Sequence, residues 1–283
     1  MALNFSLPTP LGYFGALVES DEHFPLLESV ASLAQDEYPE LDVQQVLGDV
    51  DQMAARLQRR VASDAPMLER VRALNQFFFS DLGFGGNLND YYNPDNSYLN
   101  VVLHTRRGIP ISLAVLWMEL AGSLKLKAEG VGFPGHFLTQ VSLPVGKVVI
   151  DPFTGQSLSR SDLRERIAEI HPNLPLGDGS ELPLGLYLQV STPRQIVGRM
   201  LRNLQEIHRT QQDWPRLLTV QERLVQLFPN AWEEVRDRGL VLAELGERQR
   251  ARKDLSAYLR EAPNAFDRET VVDRLAELGG LLP

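Results

Sequence analysis

Arg106-Arg-Gly-Ile-Pro-Ile-Ser-Leu113 decides how this 283-residue chain is read. Gly108 and Pro110 stand at the head of an apolar run in which Leu113, Leu116, Trp117, Leu120 and Leu124 share one helical face. Proline suits the first turn of a helix, where its missing N–H has no intrahelical partner to lose. Ser112 therefore falls in the first turn, near the positive end of the helix dipole. A serine there has two readings: a nucleophile held at a helix start, or an N-terminal cap, a role for which serine is among the preferred residues.

Downstream, Phe137 to Leu143 and Val148 to Ile150 read as strands, joined by the turn Pro144-Val-Gly-Lys147. His136 heads the first strand after Pro134-Gly135, and Asp151 ends the second ahead of Pro152. Antiparallel neighbours of this kind hold imidazole and carboxylate side by side. Ser112, His136 and Asp151 then have the logic of nucleophile, base and orienter. The alternative makes His136 a hinge residue and Asp151-Pro152 the start of a turn.

Upstream, apolar residues recur at helical spacing from Phe24 to Ser80, broken at Pro39 and at Ser63-Asp-Ala-Pro66, and predict about three packed helices. The segment from Asp81 to Asn96 is dense in Gly, Asn and Asp and reads as irregular turns. Its oxygens invite a calcium-loop reading, but the D-x-[DN]-x-[DN]-G order and the terminal Glu are missing, so no metal site is expected. At the other end, Phe228-Pro-Asn-Ala-Trp-Glu-Glu234 recurs as Ala262-Pro-Asn-Ala-Phe-Asp-Arg268, which sets Pro229 and Pro263 34 residues apart. That is the period of tetratricopeptide helix pairs, with Gly239 and Ala251 where the motif needs small residues. The expected fold class is α+β. Residues 1–80 form a helical N-terminal region, 81–190 a core with a small antiparallel sheet, and 191–283 α-helical tetratricopeptide-like repeats.

Four strings, taken in order, carry a resemblance: Tyr91-Tyr-Asn-Pro-Asp-Asn-Ser-Tyr-Leu-Asn100, Arg106 to Leu113, Pro134-Gly-His-Phe-Leu138 and Ile150-Asp-Pro-Phe153. Together with the C-terminal repeats they resemble a bacterial transglutaminase-like family of the invasion-regulator B type. The resemblance implies a papain-like core with Ser112, His136 and Asp151 at the Cys, His and Asp positions of active transglutaminases and cysteine proteases, and it implies no particular reaction.

Chemistry separates the serine from the cysteine it replaces. A thiol starts near pKa 8.5, and a helix terminus with a neighbouring imidazolium pulls it below neutrality. The same dipole supplies about 0.3–2 kcal/mol, far too little to ionise an alcohol. Ser112 needs His136 as general base and an oxyanion donor, for which Asn100 is the candidate side chain. By the same reasoning, Ser112→Cys is expected to create a thiol with an apparent pKa below about 8.

The net charge of −9, with five Arg and Lys against fifteen Asp and Glu in residues 1–100, disfavours nucleic acid. The chain contains no cysteine, which removes disulfides and thiol catalysis. The N-terminal sequence has no leader pattern, and its apolar stretches are too short for a membrane helix. A cytoplasmic protein without a cofactor is expected. Its partner is a protein or peptide, bound by the core cleft and the repeats, where Trp232 and Arg236 are the contact candidates and packing is the alternative role of the tryptophan. The rival function is a serine-dependent acyl transferase, peptidase or amidase.

Overall fold

The computed structural model describes residues 8–144, 146–170 and 184–279. In chain order the helices are α1 (Pro10–Leu17), α2 (Leu26–Ala31), α3 (Val43–Gln58), α4 (Met67–Asn75), α5 (Leu99–Thr105), α6 (Pro110–Ser123), α7 (Arg160–Ile170), α8 (Leu184–Tyr187), α9 (Pro193–Thr210), α10 (Trp214–Leu227), α11 (Trp232–Glu244), α12 (Arg248–Glu261) and α13 (Arg268–Glu277). The strands are β1 (Gly85–Gly86), β2 (Arg107–Gly108), β3 (Ala128–Val131), β4 (Leu138–Leu143), β5 (Gly146–Ile150) and β6 (Ser157–Leu158). The fold is α+β, as the mixed periodicities predict. Two compact units result: one is Pro25–Val197, and the other joins Met1–Phe24 to Gly198–Pro283.

The first unit is built around α6. Every residue from Pro110 to Trp117 is buried, so the helix is apolar all round and lies in the core rather than on its surface. Trp117 satisfies its indole N–H by donating to Asn75 Oδ1 at 3.0 Å, which makes its complete burial affordable. Helix α3 packs on α6 and buries Val43, Val46, Val50, Met53 and Leu57, an i, i+3, i+7, i+10, i+14 stripe whose opposite side carries the polar residues. Asp42 caps α3 by accepting from the Gln44 N–H at 2.9 Å.

On the other side of α6 lies an antiparallel sheet in the order β3-β4-β5-β6. Its register pairs Thr139 with Ile150, so the residues just before β4 and just after β5 meet at one end of the sheet. Strands β1 and β2 form a two-residue parallel pair, Gly85 with Arg107 and Gly86 with Gly108. Gly86 is required there: a Cβ would stand 2.2 Å from the ring of Phe153.

In the second unit, the repeats run from the C-terminal part of α9 through α13. Gly239 lets α11 approach α12, since a Cβ at that position would lie 2.9 Å from Leu255 Cδ2, and Ala251 is fully buried. These are the small residues that the 34-residue period marks out. Helix α1 packs on α10 in the same unit, with Phe14 fully buried under the Arg223 guanidinium at 5.7 Å. Sequence order groups α1 with the helices that follow it, whereas packing groups it with the repeats.

Candidate functional site

His136 and Asp151 meet at the end of the sheet. Gly135 adopts φ +64°, a left-handed backbone that favours glycine, and delivers His136 just ahead of β4. Asp151 follows β5 directly, and its main chain is tied back by its own N–H to Gln156 O at 2.8 Å and by the Gly155 N–H to its carbonyl at 2.8 Å. His136 Nε2 lies 2.8 Å from Asp151 Oδ1, which also accepts from the Phe153 N–H at 2.9 Å. The other carboxylate oxygen accepts from Arg166 Nη2 at 2.8 Å.

The carboxylate is 1% exposed. Burial pushes its pKa up, but the hydrogen bond and charge of His136, the hydrogen bond from Arg166 and the Phe153 N–H together outweigh it, and the value falls to about 2. Asp151 is therefore a fixed negative charge shared by an imidazole and a guanidinium. With Nε2 committed to Asp151, any base catalysis by His136 has to run through Nδ1.

Ser112 is handled differently. It is fully buried, and its hydroxyl lies 2.7 Å from the carbonyl oxygen of Asn96 and 3.0 Å from that of Ile109. Both neighbours are acceptors, so the hydroxyl acts as the donor. The second contact reaches back to the residue preceding the helix. The first ties α6 to the Asn87–Asn96 turns. A Cβ at Gly108 would come 2.7 Å from the Ser112 oxygen, so glycine at 108 is what makes room for that hydroxyl. Thus the structure joins His136 to Asp151, and joins Ser112 to main-chain carbonyls rather than to the imidazole.

The Asn- and Asp-rich segment is a network of turns. Asn96 donates through Nδ2 to the carbonyls of Asp90 and Tyr91 at 2.6 and 3.2 Å and accepts from Asn87 Nδ2 at 2.9 Å. Asn93 donates to Asp90 at 2.9 Å, and Tyr38 donates its phenol to Asp95 at 2.6 Å. This network presents Tyr92 and Leu88, 75% and 83% exposed, and an aromatic chain leads inward from them. Ring centroids lie 5.3 Å apart for Tyr92 and Tyr91, 5.9 Å for Tyr91 and Phe153, and 6.3 Å for Phe153 and His136.

Asn100, the expected oxyanion donor, lies on α5 and lines a cavity of about 670 Å³ whose walls include none of Ser112, His136 and Asp151. In the second unit, Trp232 is half-buried against the cluster of Leu255, Tyr258 and Leu275. Arg236 is held by Asp237 at 2.6 Å and Asp267 at 2.5 Å and lies over the Tyr258 ring. The expected contact pair is thus engaged in packing and ion pairing within its own unit. Sequence reasoning missed Arg166, which sits on α7 among the packing positions Leu163 and Ile167 and belongs to none of the recognisable strings.

Comparison with known proteins matches the profile of the transglutaminase-like superfamily to residues 44–202 and that of the tetratricopeptide repeat to residues 204–276. Among curated proteins, a UPF0162 protein of Xylella fastidiosa (strain 9a5c) is 38% identical over 263 residues, covering 91% of each chain. UPF0162 protein PA3419 of Pseudomonas aeruginosa is 29% identical, covering 89% of this chain and 90% of its own. UPF0162 protein YchA of Escherichia coli (strain K12) is 25% identical, covering 84% and 87%. No solved structure gave a significant match. No helix among the described residues is long and apolar enough to cross a membrane.

Proposed function

The chain belongs to the transglutaminase-like superfamily and groups with the UPF0162 proteins, and from that premise we propose that it is a non-catalytic member that acts by binding protein. The carrying observation is the environment of Ser112. Its hydroxyl is fully buried and donates toward the Asn96 and Ile109 carbonyls, an arrangement that suits a structural pin and leaves no exposed nucleophile. What stands exposed instead is the Tyr91–Tyr92 pair, which the Phe153 ring links to His136, and Leu88 on the same network of turns; such apolar groups suit a protein or peptide segment. The tetratricopeptide repeats support the same reading, because helix-pair arrays commonly serve as binding surfaces. Kinship with the invasion-regulator B type, a cytoplasmic setting and the three-region division at 80 and 190 belong to this proposal.

A second reading has one observation in its favour, the His136–Asp151 pair at 2.8 Å, which is the base and orienter half of a serine hydrolase or acyl transferase. In that reading Ser112 exchanges Asn96 for His136 when substrate arrives, and Asn100 serves as an oxyanion donor only after a rearrangement.

A fluorophosphonate probe separates the two. The non-catalytic reading expects no labelling at Ser112 in the intact protein. Labelling that is present in the wild type and absent from Ser112→Ala selects the second reading. For the binding surface, Tyr92→Ala and Leu88→Ala should each lower recovery of the same captured partner, whereas undiminished recovery by both removes the aromatic surface from the proposal.

A further inference from the structure

The groove between α3 and α5 contains two arginines for which the described residues supply no anion, while of its carboxylates Asp42 caps α3 and Asp49 accepts from Gln45 Nε2 at 2.9 Å. Arg106 is the residue that ends α5, and it does so with φ 60°, a left-handed conformation uncommon outside glycine. Its guanidinium lies 4.7 Å from the centroid of the Phe84 ring. The one hydrogen-bond acceptor it meets among the described residues is Met53 Sδ at 3.7 Å, and thioether sulfur is a weak acceptor. Half-buried, with five N–H donors and no oxygen on any of them, it is an incomplete arrangement. Burial and the like charge of Arg56 both lower its pKa, with Asp49 acting in the opposite sense. Arg56 also has no hydrogen-bonded or ion-paired anion among the described residues.

The same groove, about 670 Å³, is lined at its floor by Val46, Met53 and Leu103. It includes Asn100, whose Oδ1 is buried without a hydrogen-bond partner. Beyond the arginines, carboxylates line it: Asp49, then Asp42 and Glu40. Two arginines facing three carboxylates make a poor receptacle for a dianion. They are a good match for a ligand with one charge of each sign. Asp49 and Arg56 are seven residues apart on α3, about 10 Å along the axis. Three extended residues span about the same distance.

We propose that this groove binds a free tripeptide-sized zwitterion, with its carboxylate on Arg56 and Arg106, its ammonium group on the Asp49 side and an apolar side chain over Met53 and Leu103. The buried Asn100 oxygen then accepts from a peptide N–H. A volume of a few hundred Å³ or more is ordinary for a small-molecule site, and the mixture of charged and polar side chains around Val46, Met53 and Leu103 suits a charged rather than an apolar ligand. The inference does not depend on whether Ser112 is catalytic, since the groove shares no residue with the Ser112, His136 and Asp151 set.

The test is an amide-resolved NMR titration of the full-length protein with alanyl-leucyl-alanine, its N-acetyl derivative, its C-terminal amide, and inorganic phosphate. The expected result is a saturable shift of the Val46, Asp49, Met53 and Leu103 amides with the free tripeptide. Removing either terminal charge should weaken binding at least tenfold, as should Arg56→Gln or Asp49→Asn. Arg59→Gln, which removes a charge from the end of the same helix outside the groove, should not. Circular dichroism establishes that each variant is folded; both groove substitutions are at exposed positions. The proposal is overturned by an absence of saturable shifts up to about 10 mM peptide. It is equally overturned if the N-acetyl derivative binds as well as the free peptide, which indicates protein C-termini, or if phosphate binds the same amides as tightly, which indicates a simple anion site.

Discussion

Ser112 donates its hydroxyl to the carbonyl of Asn96 across 2.7 Å, and the Asn96 side chain in turn clamps the carbonyls of Asp90 and Tyr91. The same carbonyl accepts from the Ile109 N–H at 3.3 Å, so two hydrogen bonds connect the start of the central helix to the turns that carry the exposed tyrosines. Removing the hydroxyl leaves the Asn96 carbonyl with the longer one alone. Ser112→Ala is expected to destabilise the protein by about 0.5–1.5 kcal/mol. The measurements are the urea midpoint and hydrogen exchange of the amides between Leu88 and Asn96, which should speed up more than those of β4. An unchanged midpoint with unchanged exchange contradicts the pin.

Ser112→Cys now carries the opposite expectation from the one drawn on sequence. The helix start favours a thiolate, but the position is fully buried and faces two carbonyl oxygens, which repel negative charge. The apparent pKa from iodoacetamide rates against pH should therefore lie above the free-cysteine value of about 8.5. A value below that, in a folded variant, shows that the site opens toward His136.

Asp151 predicts an acid limb. Its folded pKa of about 2 is below the unfolded value of about 3.9, so its ionised pairing stabilises the fold fully above about pH 4. That contribution, on the order of 2 kcal/mol, fades as the pH falls through about 2. Asp151→Asn should be less stable than wild type near neutrality, with the gap closing between about pH 4 and 2. Equal stability at pH 7, or a gap that stays constant to pH 2, rejects the assignment.

Gly86→Ala tests the packing behind the site. The added Cβ meets the Phe153 ring at 2.2 Å, and that ring lies between Tyr91 and His136. A cost of about 1–3 kcal/mol is expected from overpacking, together with a shifted His136 ring resonance. An unperturbed resonance means that the ring moves aside without touching the imidazole.

The His136–Asp151 pair was legible because a Pro-Gly entry and a Pro exit frame two strands whose register brings their ends together. The repeats were legible for a similar reason, since Gly239 and Ala251 fall at fixed offsets within a repeated string. Arg166 was not: it reaches Asp151 through the packing of α7, and an arginine on an amphipathic helix looks like any solvated one. The partners of Ser112 were also hidden, because main-chain carbonyls exist at every residue and have no signature. Strands β1 and β2 are two residues each, below the length at which alternation can register. Helix α1 gave no sign of its distant neighbour.

That last contact has a consequence for biosynthesis. The unit that holds α1 is completed by Gly198–Pro283, so roughly two hundred residues must leave the ribosome before Phe14 can be covered by α10. Pro25–Val197, continuous in sequence, can condense while that happens. The early helix must wait with its apolar face exposed, and closure over so long a separation is a slow step. A stop codon after Val197 and before α10 is complete therefore strands the first helix as well as the last ones.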